Sequence, residues 1–271
     1  MAVYGGVSIN PQMKGLYGVD ILIATPGRLL DLVDSNAIQL SDVETLVLDE
    51  ADKMLNLGFK EEIDRIFNLL PKKRQNLLFS ATLSDDLDSL NEILLDDPKV
   101  IRIMSFEMEP QLINELAYHV SEERKGPLLR YLIKQANDQQ VLVFASSSHR
   151  VDKVTEKLKI NGIDAKAIHG KKNQGARLSA LAAFKEGKLQ VLVATDLISR
   201  GIDVEFLPYV INYELPRSPK DYIHRIGRTG RAESPGEAIS LISPEEKHHF
   251  RVIQKKHGKW ATMIDSENLD F

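Results

Sequence analysis

The chain has 271 residues, 43% apolar and 27% charged, with net charge −4 and no cysteine, a length that leaves room for about two domains. This excludes disulfides, thiolate metal centres and a cysteine nucleophile, and confines any nucleic-acid binding to local basic patches. No apolar run approaches the ~18 residues of a membrane span and no signal-peptide pattern opens the chain, so it reads as cytoplasmic with no membrane partner.

In chain order, apolar runs alternate with amphipathic ones. "MAVYGGVSIN" opens with the end of a strand that leads into Gly5-Gly6. "DILIAT" (Asp20–Thr25) predicts a strand, and behind it Thr25 reads as an N-cap with Pro26 at the first helical position. "TLVLDEADKML" (Thr45–Leu55) has the shape of a buried parallel strand that delivers Asp49, Glu50 and Asp52 to its carboxyl end. Carboxylates placed there suit a magnesium ion serving a nucleoside triphosphate. "GFKEEIDRIFNLL" repeats Phe59, Ile63, Ile66 and Leu70 at helical spacing. "NLLFSAT" (Asn76–Thr82) predicts a strand that brings Ser80 and Thr82 to the same edge, and "KVIRI" (Lys99–Ile103) another strand.

Periodicity breaks over 104–115, the expected linker, between a first domain at 1–103 and a second at 116–271. The second series has strands at Val141–Ser146, Asp164–Gly170, Gln190–Asp196, Tyr209–Leu215 and Glu237–Ser243, with helices at Val151–Ile160 and Gln174–Lys185. Strands that alternate with helices predict parallel sheets in an α/β fold. "EEKHHFRVIQKKHGKW" predicts a terminal helix with a basic solvated face that could meet RNA phosphates; Trp260 is expected to pack, as are Phe59, Phe67 and Phe144.

"DEAD" alone arises by chance in on the order of one chain in a few hundred of this length. Its company is more specific. "TPGR" (Thr25–Arg28) offers a helix N-terminus and an arginine to a phosphate. "ATDLISRGIDV" (Ala194–Val204) follows one strand, and "HRIGRTGR" (His224–Arg231) ends a helix that follows another. Three arginines among glycines are costly on a structural helix, and arginine fingers aimed at a γ-phosphate explain their spacing.

These segments, in this order, resemble the DEAD-box RNA helicase family, with phrasing similar to its bacterial RhlE-like branch. The resemblance implies two RecA-like domains in tandem, the first incomplete, with ATP held in a cleft between them. It implies that Asp49 holds Mg2+ through water and that Glu50 activates the attacking water. Arg228 and Arg231 become the arginine fingers, and Asp203 the contact to the nucleotide ribose. Asp52, Ser80, Thr82 and His224 couple nucleotide state to RNA. RNA-facing positions are Gly5, Gly6, Thr25, Arg28, Gln174, Arg177 and Thr195, contacting the sugar–phosphate backbone with little base preference. Ser146 to Ser148 stand where the family often carries other polar residues.

A phosphate loop, G-x-x-x-x-G-K-[ST], is missing from the 271 residues. In the nearest decoy, "GIDAKAIHGKK", Gly162 and Gly170 lie eight apart and Lys172 stands where Ser or Thr is needed. The family's adenine-reading glutamine motif and phosphate loop belong upstream of Gly5-Gly6, so the chain is expected to be N-terminally truncated and impaired in hydrolysis. Two other functions stay open: a non-catalytic RNA-binding module built on the second domain, and a DNA helicase sharing the same motor chemistry.

Overall fold

The computed structural model describes the chain apart from residues 52–53, 55–57, 81–97, 102–112, 197–203, 205, 231–234, 268 and 271. It divides into two compact units, Met1–Ile103 and Met104–Phe271.

In the first unit, β1 (Ala2–Val3) pairs parallel with β2 (Ile23–Ala24), and β3 (Thr45–Leu48) with β4 (Gln75–Leu78). α1 (Ile9–Lys14), α2 (Pro26–Asp34) and α3 (Lys60–Leu69) complete the described elements. The helical spacing read in "GFKEEIDRIFNLL" buries Ile63, Ile66 and Leu70 as expected, with Phe59 and Phe67 only half-buried. One face of β3–β4 packs on α3 through Leu46, Leu48 and Leu78. The opposite face presents Val47, Leu77 and Phe79 to solvent, because successive strand residues point to opposite sides. The strand expected at "KVIRI" does not form where it is described: Lys99, Val100 and Ile101 are irregular and exposed.

The second unit is built on one parallel sheet of seven described strands. They are β5 (Ile113–His119), β6 (Val141–Phe144), β7 (Ala165–Ile168), β8 (Val191–Ala194), β9 (Tyr209–Asn212), β10 (Gly236–Ile242) and β11 (Thr262–Asp265), ordered β11-β5-β10-β9-β6-β8-β7. Runs such as Val141–Phe144 and Val191–Ala194 are buried on both faces, which is why they read as continuous apolar segments without alternation. Val141, Val143, Val191 and Val193 pack with α4 (Lys125–Gln135) and α5 (Ser148–Ile160). Leu142, Phe144, Leu192 and Ala194 face the other way, onto α6 (Gln174–Lys185). On that same face α7 (Pro219–Ile226) and α8 (Lys247–His257) cover β5 and β10 through Tyr222, Ile226, Phe250 and Ile253.

β5 and β11 escaped the sequence reading. β5 begins at Ile113, so the last residues of the expected linker, Ile113 to Glu115, lie in a strand. Both strands carry polar residues that blur the pattern: Asn114 and Glu115 in β5, Thr262 and Asp265 in β11.

A close approach ties β10 to the turn after α7. A Cβ built on Gly236 would stand 1.8 Å from Thr229 Oγ1 and 2.6 Å from the Gly230 nitrogen. Gly236→Ala is expected to cost about 1–3 kcal/mol through overpacking, a drop of roughly 2–12 °C in thermal midpoint. An unchanged midpoint in a melting experiment would show that the turn yields freely.

Candidate functional site

In the first unit the parallel register aligns the exits of neighbouring strands. Val3 pairs with Ala24, so Gly5-Gly6 and Thr25 leave the same carboxyl edge. Gly6 has φ +78°, a conformation that favours glycine, and an added Cβ would meet nothing within 4 Å at Gly5, Gly6 or Gly27. Thr25 caps α2 from an extended conformation, but its hydroxyl makes no cap hydrogen bond. Arg28 is only 7% exposed. Its Nη2 donates to the Val7 carbonyl at 2.8 Å and its Nε to Asp31 at 3.3 Å. Arg28 therefore staples the Gly5-Gly6 loop to α2, with its Nη1 buried and lacking a hydrogen-bond partner among the described residues. Gln12 braces the same loop, accepting from the Tyr4 amide and donating to the Tyr4 carbonyl, both at 3.1 Å.

The second pair of strands does the same for the carboxylates. Leu48 pairs with Leu78, which puts Asp49 and Glu50 beside Ser80 at one edge, all exposed. Glu50 sits in the left-handed region at φ +51°, and its amide donates to Asp49 Oδ1 at 2.9 Å. The Ala51 amide donates to the Phe79 carbonyl at 3.2 Å, anchoring the turn to β4. Asp52 and Thr82 lie outside the described residues.

In the second unit the carboxyl ends of β9, β6, β8 and β7 stand side by side. They carry, in that order, Glu214, Ser146, Thr195 with Asp196, and the His169–Asn173 turn that starts α6. Asn173 caps α6 by accepting from the Ala176 amide at 2.8 Å, and Gln174 and Arg177 occupy its first turn half-buried. The Arg177 Nε is buried with no hydrogen-bond partner among the described residues. His169, almost fully buried, lies 3.1 Å from Asp152, which Lys172 also approaches at 2.8 Å. Burial opposes the Asp152 charge, but Lys172 and His169 outweigh it and hold the carboxyl below its ordinary value.

One arginine ties these ends together. Arg225 is completely buried, and its guanidinium grips Asp196 with Nε at 2.5 Å and Nη2 at 2.8 Å. Its Nη1 donates to Asn212 Oδ1 at 3.0 Å and to the Glu214 carbonyl at 2.7 Å. The guanidinium also lies 5.0 Å from the centre of the Phe144 ring. The Glu214 carboxylate accepts from the Ser146 amide at 2.8 Å, the Ser146 hydroxyl at 2.5 Å and Arg150 Nε at 2.7 Å. Burial alone would raise the Glu214 pKa; the Ser146 and Arg150 donors overcome it and hold the group below the usual carboxylate range.

Of the three arginines in "HRIGRTGR", Arg225 is thus structural: it faces inward with Tyr222 and Ile226, one turn of α7 apart. Arg228 is half-buried in the turn after α7, where its carbonyl accepts from the Leu207 amide at 3.0 Å. His224 is half-buried on α7. Asp203 and Arg231 lie outside the described residues. Arg225, Asp196, Glu214 and Gln12 were missed because their work is buried; the signal for Arg225 was its spacing from Tyr222 on one helix face. Trp260, expected to pack, is instead 63% exposed.

The model of the DEAD/DEAH box helicase domain matches residues 1–90, and that of the helicase conserved C-terminal domain residues 124–233. The ATP-dependent RNA helicase CshA of Listeria monocytogenes is 42% identical over all 271 residues. CshA of Bacillus cereus is 38% identical over the same span. The chain spans about half the length of these curated relatives, 52% in each case. Among solved structures, a DEAD box protein from Methanococcus jannaschii is 36% identical with TM-score 0.55, matching 97% of this chain and 71% of that one. Yeast Dbp5 bound to RNA and ADP BeF3 is 28% identical with TM-score 0.82, matching 99% of this chain and 70% of that one. The motif order, the parallel α/β units and these likenesses agree, and the chain belongs to the DEAD-box RNA helicase family.

Proposed function

We propose that this chain carries the hydrolytic carboxylates, the arginine turn and most of the RNA-facing loops of an ATP-dependent RNA helicase acting in the cytoplasm. The observation that supports it most is the carboxyl edge of the second sheet. There one buried guanidinium joins Asp196, next to Thr195, to the helix that leads into the turn carrying Arg228. A displacement in either loop is thereby felt by the other. The names of the relatives favour a CshA-type branch over the RhlE-like one.

Asp49 is an exposed carboxylate with one oxygen committed to a neighbouring amide, and such a hard, solvent-open donor fits Mg2+ held through water. When bound, that ion would offset the charge of the phosphates. Glu50 is the base that orients and deprotonates the attacking water, from a left-handed backbone position just past the strand. Arg228 and Arg231 meet the charge that develops on the γ-phosphoryl oxygens. Asp203 takes the ribose, while Asp52, Ser80, Thr82 and His224 link nucleotide state to RNA. Gly5, Gly6, Thr25, Gln174, Arg177 and Thr195 contact backbone phosphates. Arg28, tied to Val7, serves RNA by shaping the Gly5-Gly6 loop.

The continuous sheet of described strands and the core of the second unit favour one alternative, an RNA binder indifferent to nucleotide. Fluorescence anisotropy with labelled single-stranded RNA separates the two. Arg177→Ala is expected to weaken binding roughly fivefold near 0.1 M salt and to flatten the salt slope by about 0.7. Affinity that changes with ATP and Mg2+ supports the helicase; unchanged affinity supports the binder. RNA binding that ignores Arg177→Ala would remove α6 from the RNA surface.

A further inference from the structure

Part of the charge on the last helix is not explained by its own stability: Lys255 and Lys256 lie in its last turn, but Lys247 and Arg251 do not. Cations are favourable near a helix C-terminus and unfavourable near its N-terminus. α8 continues directly from a 3-10 turn, Pro244–Glu246, which places Glu245 and Glu246 ahead of Lys247, His248 and His249. Lys247, Arg251 and Lys255 then follow at intervals of four, with Lys256 beside them, all exposed. Like charges at that spacing destabilise a helix by about 0.2–0.5 kcal/mol per pair. None of these four makes an ion pair among the described residues, although their neighbours do. Lys125 is held by Glu122 and Glu246, and Lys259 by Glu115. The inner face of α8 is committed to the core through Phe250 and Ile253, so the basic side is left for solvent. Past the left-handed Gly258, Lys259 turns inward to the Ile113 carbonyl at 2.6 Å while Trp260 turns out. A cationic stripe ending in an exposed indole combines the two features that hold single strands: charge for phosphates and a ring for bases.

We propose that the outward face of α8, with Lys247, Arg251, Lys255, Lys256 and Trp260, is a second contact for single-stranded RNA, electrostatic and indifferent to base sequence. It lies apart from the Gln174–Arg177 turn. α6 packs over β7 and β8, α8 over β5 and β10. Three to five strand spacings separate them, roughly 15–24 Å. The choice of RNA as the ligand rests on the function proposed above.

The test is anisotropy of the 271-residue chain with a labelled oligouridylate of about 20 nucleotides, longer than the ~4–16 of a single site. Arg251→Glu with Lys255→Glu is expected to lower affinity about 25-fold near 0.1 M salt and to flatten the salt slope by about 1.4. The neutral pair Arg251→Gln with Lys255→Gln is expected to give the same slope change, and an unchanged melting midpoint checks that each variant is folded. Trp260→Ala is expected to weaken binding about fivefold or more. If Arg177→Glu weakens binding while the α8 variants leave affinity and slope untouched, this inference falls and the RNA reading stands. If the parent chain binds no RNA, both fall. Binding of the stripe to anionic lipid vesicles but not to RNA would also overturn it.

Discussion

Given ATP, Mg2+ and single-stranded RNA, the 271-residue chain is expected to release phosphate at less than about a thousandth of the rate of the same chain fused behind a segment bearing G-x-x-x-x-G-K-[ST]. The reason is electrostatic. That loop supplies several backbone amides and a lysine to the phosphates, and losing even one aimed donor commonly costs 10²- to 10³-fold. On the function proposed above, the chain holds the other side of the chemistry. In the fused protein, Glu50→Gln is expected to cost about 10²–10⁴ in turnover, as for the loss of a positioned general base. Arg228→Ala is expected to cost about 10³–10⁵, as for an arginine finger. Glutamine is the informative replacement at position 50. The backbone there is left-handed and its amide is held by Asp49, so an isostere changes the carboxylate while keeping the turn. A coupled phosphate-release assay reads all of these proteins, together with Glu50→Gln in the unfused chain. RNA-stimulated turnover by the unfused chain, abolished by Glu50→Gln, would overturn the expectation and require a different phosphate cradle.

Much of this site was legible in the sequence because it depends on short-range chemistry. A run such as "TLVLDE" announces both a strand and what it delivers, since the side chains after the last apolar residue must emerge at the sheet edge. Pro26 behind Thr25 fixed the start of α2 to the residue, because proline tolerates the first helical position and few others. The bounds read for the helix Gln174–Lys185 also match, and the structure shows Asn173 capping it. The failures have physical causes too. β11 has one edge partner, β5, and its residues are largely exposed, so it carries little apolar pattern to read. "KVIRI" has the composition of a strand, yet Val100 and Ile101 find no core. Buried ionic partners were illegible for a different reason. Asp196 and Arg225 are 29 residues apart, and nothing local in either segment demands the other. Arg225 and Arg228 look alike in "HRIGRTGR"; only burial separates the fully buried arginine from the half-buried one.

Breaking that buried pair is the second large expected effect. Arg225→Met takes from the Asp196 carboxylate, the Asn212 side chain and the Glu214 carbonyl the guanidinium donors that they now accept from. Removing one partner of a buried ion pair costs about 3–5 kcal/mol. Because the Asp196 side chain keeps 31% of its exposure, the lower end applies, a fall of roughly 6–12 °C in the melting midpoint of a domain this size. Asp196→Leu alone strands the guanidinium instead, and with Arg225 fully buried it is expected to be at least as damaging. The double substitution removes both charges and is expected to recover most of the loss, since a buried pair replaced by apolar groups of similar size is often near neutral. The informative quantity is therefore the coupling from the double-mutant cycle, about 2 kcal/mol or more. Strictly additive losses would mean that each residue holds its own surroundings and that the pair is incidental. The cycle also separates stability from communication. If the double variant melts normally but its RNA affinity no longer responds to Arg228→Ala, the charge pair serves to link Thr195 to the arginine turn, and the hydrophobic replacement restores the fold without restoring the link.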